Sequence, residues 1–274
     1  MIGDIILEKY LQLKKENSSG GFKVRQVRDL LITEFTDEFW MITACDSDGG
    51  IGPKELDTVY SSGYELGRLG ARVPIMEILA SGAVPILTVD LLSVEMEPTG
   101  KEIILGVKEE SIDAGMSSKI ILTGSTEDNV KTVQTGMGVV IIGLVQKKDF
   151  RPGNSMKGDI VVCIGVPKSA PEFKVTYSDP EIADPKTILA LGQLSFIHDI
   201  LPVGSKGIKH EFSELAGSAC LTSHYYNDIK VDVTKSGGPS TCCLISLLPE
   251  MLDELKTSIN KPVFVIGELT EQKI

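Results

Sequence analysis

Two aspartates one residue apart, Asp46 and Asp48, close an apolar run, FWMITAC (39–45), and open a glycine-rich stretch, DSDGGIGPKELD (46–57). Carboxylates held at the stiff end of a strand are acceptor-only oxygens able to share a hard cation. Glycines just after them let the backbone approach an anion closely, and Lys54 adds a cation of the kind phosphate attracts. The same residues also fit a solvated turn or a weak calcium loop, although no EF-hand glutamate follows. A second cluster, TGSTEDN (123–129), comes after KIIL and offers Thr126, Glu127, Asp128 and Asn129. It fits a ligand loop and equally a helix N-cap with acids in the first turn. A third cluster is Ser236, Gly237, Gly238, Pro239 and Ser240 before TCCLISL, with Gly204, Ser205, Lys206 and Gly207 upstream. Serines and glycines beside a lysine can cradle an anion with backbone N–H groups, and ordinary turns use the same residues. The chain has no GxxxxGK[ST], GxGxxG or GxSxG, so a bound nucleotide would need another scaffold. His198, His210 and His224 show no paired metal spacing and read as packing or surface residues.

Composition narrows the partners. The chain has 274 residues, with 27 Lys plus Arg against 38 Asp plus Glu, for a net charge of −11. Such a surface repels a phosphate backbone or an anionic membrane unless a local basic cluster overrides it. None is dense enough, so no nucleic-acid or membrane partner is expected. No apolar run reaches the length of a membrane span. The start, MIGDIILEKYLQLKKEN, reads as an amphipathic helix and not as a signal peptide. The five cysteines make an odd count without zinc or CxxC spacing, and mostly lie in apolar or small-residue runs (VVCIG, GSACL, STCCL). They read as reduced, buried thiols of a cytoplasmic protein.

The elements that must position these clusters alternate along the chain. FWMITAC is a strand delivering the loop 46–57; residues 58–82 read as helix broken near Gly70 and Pro74; 83–96 is strand-like, 101–114 helical, and 119–124 and 136–146 are strands. That pattern describes an α/β domain. The polar, Pro- and Gly-rich KKDFRPGNSMKGD suits a boundary, dividing the chain into 1–151 and 152–274. Then come a strand at 161–167, a helix-like stretch at 185–199, glycine-punctuated 202–216, a loop, strand and helix over 236–258, and a last strand at 261–269.

In this order the clusters resemble the ATP-dependent aminoimidazole-ribonucleotide synthetase superfamily, which includes thiamine-monophosphate kinase, selenophosphate synthetase and a hydrogenase-maturation protein. WMITACDSD resembles a strand ending in Thr-Thr-Asp, and RVPIMEILASGAVPI (72–86) its Ser-Asp-x-x-Ala-Met-Gly-Ala-x-Pro helix. TGSTEDN followed by VVIIG resembles the Gly-Gly-Asp-Thr loop and strand, and MKGDIVVCIG the Pro-Gly-Asp hinge. SGGPSTCCLISLLPE resembles the Ser-Gly-Gly…Leu-Leu…Pro segment, and FVIGEL the closing Ile-Gly-x-Val. The resemblance runs over nearly the whole chain.

It implies a two-domain α/β (α+β) fold of that superfamily, a strand-mediated homodimer, and ATP with Mg²⁺ held by carboxylates. Carried over by position, the metal ligands would be Asp29, Asp46, Asp48, Glu77 and Asp128 or Glu127. Arg28 stands where the family has the first aspartate of Gly-Asp-Asp-Ala-Ala, exchanging a metal ligand for a phosphate or carboxylate contact. Lys54, Arg72 and Lys206 would contact phosphate oxygens, and Thr126 and Asn129 the nucleotide. Ser205, Gly207, Ser236, Gly237 and Gly238 would hold a small-molecule acceptor. Kinase relatives carry Asp-x-Ser-Asp-Gly-Leu where this chain reads Val203-Gly204-Ser205-Lys206-Gly207-Ile208. That departure speaks against thiamine-monophosphate kinase activity and gives Lys206 a role in stabilising a transferring phosphoryl group. Among relatives, DSDGGIGPKE is most similar to the α-ribazole kinase-like proteins of cobalamin salvage. The expected activity is an ATP-dependent phosphotransfer catalysed with Asp46 and Lys206. Alternatives are a synthetase activating an amide or carbonyl oxygen, and a non-catalytic nucleotide-binding subunit.

Overall fold

A computed structural model describes residues 2–16, 22–119 and 122–272. In the first half, α1 (Ile2–Glu16) precedes β1 (Val24–Val27), β2 (Leu30–Glu34) and β3 (Phe39–Gly49). Then come β4 (Ile51–Gly52), β5 (Val59–Tyr60), α2 (Gly63–Ala80), β6 (Val84–Leu92), α3 (Lys101–Asp113), β7 (Thr123–Ser125) and β8 (Gly136–Gln146). The second half holds β9 (Ile160–Ile164), α4 (Pro185–Gly192), β10 (Ile197–Pro202), α5 (Gly207–Ser218), β11 (Leu221–Tyr225), β12 (Cys243–Leu247), α6 (Leu252–Ser258) and β13 (Val263–Glu271). The helix read at the chain start is α1, with Met1 and Asn17 outside the described residues. The strand read over 119–124 is seen from Thr123; residues 120 and 121 lie outside the described residues.

The first sheet has the order β1-β2-β3-β8-β6-β7 and is antiparallel except for the β6–β7 pair. The second, β10-β12-β9-β13-β11, is antiparallel throughout. β9 reads IVVCI without alternation because both its faces are covered. Ile160, Val162 and Ile164 join the cluster that also contains Ile75 and Ile78 of α2, while Val161 and Cys163 pack with Ile208, Phe212 and Leu215 of α5. Among the described residues the first sheet is covered on one side only: Ile42, Ala44, Val139 and Ile141 are buried. On its other side Leu31, Leu87 and Leu91 are exposed, with Val89, Val140 and Ile142 half-buried.

α2 packs against β3, β6, β8 and α3 in the first half and against α4 and β10 in the second. It is one unbroken helix, contrary to the break expected near Gly70 and Pro74. Packing on several sides outweighs the hydrogen bond that Pro74 cannot donate. The glycines serve close approach instead of ending the helix. A Cβ at Gly67 would lie 2.1 Å from the Ile103 carbonyl oxygen and 3.1 Å from Gly106 Cα on α3. Two further readings are corrected. The stretch 185–199 is a helix only to Gly192, after which Ile197 begins β10, pairing with β12 and covered by core. Cys220 is exposed, as is Cys45, because it occupies a left-handed turn (φ 57°) between α5 and β11; Cys163, Cys242 and Cys243 are buried as expected. Among the described residues no helix is long and apolar enough to cross a membrane.

Because the Ile103 carbonyl of α3 faces Gly67, a methyl group there forces the two helices apart. Gly67→Ala should cost about 3 kcal/mol or more, measured by urea denaturation; an unchanged midpoint would show that α2 and α3 separate freely.

Candidate active site

β3 continues four residues farther than the sequence suggested, so Asp46 and Asp48 lie within the strand and not in a loop. Opposite them on β8 are Val139 and Met137, both buried. By two-residue alternation the aspartates share the face of Ile42 and Ala44. They stand where the core gives way to a cavity of about 650 Å³. Asp29 reaches this cavity from the turn joining β1 to β2, and Glu77 from α2, where Leu69 and Val73 precede it at helical spacing. Glu211 of α5 joins them.

Arg28, with a left-handed φ of 53°, holds the β1–β2 turn in place. Its guanidinium grips the fully buried Asp199 of β10 in a bidentate pair at 3.0 and 2.5 Å and donates to Ser218 at 2.7 Å. Gly153 N–H also donates to Asp199 at 2.9 Å. Of the two contacts expected for Arg28, the carboxylate is the one made, within the chain itself. The pair ties the turn that presents Asp29 to the second sheet.

Four of these acids bind a proton more tightly than an ordinary carboxyl. Burial raises Asp46, with Asp29 adding to the rise against a backbone hydrogen bond from Ser47. Burial and then the neighbouring Asp46 push Asp48 up to about 6. Glu77 goes to about 8, by burial and then by Asp29, Asp46 and Glu211. Its Oε2 is sealed from solvent and has no hydrogen-bond partner among the described residues. Burial also raises Glu211, although His210 counters it. A Cβ at Gly70 would fall 2.7 Å from Asp48 Oδ2, so this glycine makes room for the carboxylate.

The second half supplies a different wall. Ser205 and Lys206 end the loop before α5, and Lys206 Nζ lies 3.5 Å from His210 Nε2 one turn on. Lys206 and Lys174 both line the cavity, and neither forms an ion pair with an acid among the described residues. Ser236, Gly238, Pro239 and Ser240 line it too. Gly207 (φ 79°) and Gly237 stand behind them, and Gly237 N–H donates to the Gly204 carbonyl at 3.0 Å, joining the two loops.

Several expected residues lie elsewhere. Arg72 is 1 % exposed and paired with Glu110 at 2.6 Å, because it sits on the side of α2 that faces α3 and not the cavity. Lys54 pairs with Glu95; burial works against that carboxyl's ionisation, yet hydrogen bonds from Lys54 and Thr99 hold it down to about 2. Thr126 and Glu127 are half-buried and Asp128 and Asn129 exposed, in a loop whose carboxylates already have partners. Asp128 accepts from Met96 N–H at 3.0 Å and from the Thr126 hydroxyl at 2.8 Å, and Glu127 caps Asn129 and Val130. None of these four residues lines the cavity in this chain. Sequence reasoning missed Glu211 and His210, although the helical repeat from Gly207 puts both near Lys206. It also missed Phe173 and Lys174, which lie on a segment with no periodic signal.

No protein-family model matches the chain, and no curated protein sequence matches it. Solved structures do. Thiamine-monophosphate kinase from Stenotrophomonas maltophilia aligns over 98% of this chain and 94% of its own, with 14% identity and a TM-score of 0.63. AaThiL complexed with AMPPCP and TMP aligns over 96% and 90%, with 12% identity and a TM-score of 0.63. HypE of E. coli, a hydrogenase maturation protein, aligns over 84% and 80%, with 15% identity and a TM-score of 0.63. This chain has their fold. The α/β architecture expected from the motif resemblance is therefore the one observed.

No three His, Cys, Asp or Glu side chains among the described residues form a ready cation cage. Magnesium does not need one, since it keeps several waters and takes one or two carboxylates together with phosphate oxygens. Asp29, Asp46, Asp48 and the unpartnered Glu77 oxygen suit that chemistry.

A carboxyl with a raised folded pKa binds its proton more tightly folded than unfolded. The stability this gives is present below its ordinary pKa and is lost as pH rises through the folded value. Glu77→Gln, neutral at every pH, should match the parent near about pH 5 and melt higher than the parent at about pH 9. Identical pH profiles of melting temperature would show that Glu77 ionises as readily in the folded chain.

Proposed function

We propose that the chain is an ATP- and Mg²⁺-dependent phosphotransferase acting on a small-molecule acceptor, with α-ribazole the favoured acceptor. The observation that carries this is the convergence of Asp29, Asp46, Asp48 and Glu77 from three separate elements on one cavity that Lys206 and His210 also line. A polyphosphate cannot rest unscreened against such a wall, whereas a divalent cation between them satisfies both. ATP would supply the phosphoryl group and magnesium would neutralise its charge. Asp29, Asp46, Asp48 and Glu77 would hold the ion, Glu77 giving up its proton as it does so. Lys206 presents an ammonium free of any ion-pair partner among the described residues, suited to stabilise charge on a group in transfer. The Ser205, Ser236 and Ser240 side chains, on the cavity wall, would offer hydroxyls to the acceptor. The chain's fold is shared with a kinase solved with AMPPCP and TMP, which supports the nucleotide half of this reading.

Incubation with ATP, Mg²⁺ and α-ribazole should yield a stable phosphate monoester, and Asp46→Asn should lower kcat/KM by about a hundredfold or more. Free phosphate released with ring closure of an amide substrate would identify a synthetase instead. Nucleotide binding without turnover of any acceptor would identify a non-catalytic subunit.

We further propose that two copies pair through the uncovered face of the first sheet. Leu31, Leu87 and Leu91 are exposed there, beside half-buried Val140 and Ile142, and an apolar patch of this kind marks an association surface. Ile142→Glu should convert a dimer into a folded monomer by light scattering; a parent protein that is already monomeric would sink the pairing.

A further inference from the structure

Between β9 and α4 the chain runs from Gly165 to Asp184 with no helix or strand, a length uncommon for a loop without a task. The segment is anchored along its length. Val166 N–H donates to the Glu181 carbonyl at 3.0 Å, and Lys168 pairs with Asp179 at 2.8 Å and Glu181 at 2.6 Å, pinching its base. The returning limb is fastened to α2. Arg72 donates to the Tyr177 carbonyl at 3.1 Å and to that of Ala183 at 3.4 Å, and the Arg68 guanidinium lies 4.5 Å over the Tyr177 ring. Both arginines converge on the fully buried Glu110 of α3, at 2.6 and 2.5 Å, and Arg68 also reaches Asp113 at 2.5 Å. Desolvated, charge-assisted pairs of this kind fix geometry more firmly than exposed ones.

Between its fastenings the segment presents Phe173, Lys174 and Val175 to the cavity that Leu66, Leu69 and Val73 of α2 also line. α2 thus sets both walls, one directly and one through its arginines. The Thr241 hydroxyl accepts from Lys168 N–H at 2.9 Å and lies 3.0 Å from the Gly237 carbonyl, joining the strap to the 236–240 loop. We infer that Arg68, Arg72 and Glu110 are positioning residues that hold residues 165–184 as the wall of the acceptor compartment. Phe173 there is the specificity-determining side chain, giving an apolar face to the acceptor's ring. The acceptor half of this inference rests on the kinase reading.

Full-length Arg72→Met, Tyr177→Leu and Phe173→Ala proteins test it. Arg72→Met leaves Glu110 paired with Arg68, and Tyr177→Leu removes the ring that packs against Arg68 and Tyr64 of α2 but leaves the Arg72–Glu110 pair, so it serves where the first fails to fold. Hydrogen exchange over 169–179 and tryptic cleavage after the exposed Lys174 should accelerate about tenfold in the first two. KM for α-ribazole should rise about tenfold in all three, while KM for ATP and kcat stay within about twofold. Phe173→Ala should leave exchange unchanged. Parental exchange in folded Tyr177→Leu overturns the anchoring. A rise in KM for ATP in place of the acceptor, or parental KM values throughout, overturns the acceptor wall. Absence of α-ribazole turnover by the parent protein overturns the acceptor assignment itself, and exchange and cleavage then still decide the anchoring.

Discussion

The two-residue repeat of β3 leaves no freedom about where its aspartates point. The register with β8 that buries Ile42 and Ala44 also carries Asp46 and Asp48 inward, toward Val139 and Met137. Reversing them would expose the apolar half of the strand. Two carboxylates are therefore held at the edge of a core, where burial raises both, Asp29 adding to the rise at Asp46 and Asp46 to that at Asp48. That cost shows as raised proton affinity, greatest at Glu77, and a bound cation would relieve it. The need for positive charge in the cavity follows from packing before any ligand is considered.

Other features keep the acidic wall assembled. Arg28 accepts an unfavourable backbone conformation to pair with Asp199, and in doing so ties the Asp29 turn to the second sheet. α2 places Glu77 toward the cavity and Arg72 toward α3, so one helix serves acid cluster and ion-pair network on opposite sides. Gly67 and Gly70 make this possible by letting α3 and the Asp48 carboxylate come close. The helix tolerates Pro74 because contacts on several sides offset one missing hydrogen bond.

The same chemistry explains why similar-looking residues have different fates. Lys54, Arg72 and Lys206 are all cations near glycines or acids in the sequence. Lys54 and Arg72 face carboxylates of neighbouring elements and are neutralised there, while Lys206 ends a loop at the cavity and has no acid partner among the described residues, only His210 beside it. Asp128 and Glu127 resemble metal ligands in spelling, yet Glu127 closes a turn in its own loop, and Asp128 accepts from the Thr126 hydroxyl and from Met96 N–H.

Residue order alone determined the strands and helices with strong periodicity, the three clusters at their ends, and the resemblance that anticipated the scaffold. It did so because alternation and turn chemistry are local properties. It misjudged where β3 ends, because polar residues at a strand's end look like loop until a partner strand is seen beside them. Which acids converge, which cations are spent in ion pairs, and that a non-periodic segment around Phe173 walls the cavity were decided only by tertiary structure. Those outcomes depend on contacts between residues far apart in the chain, and no spacing within the sequence encodes them.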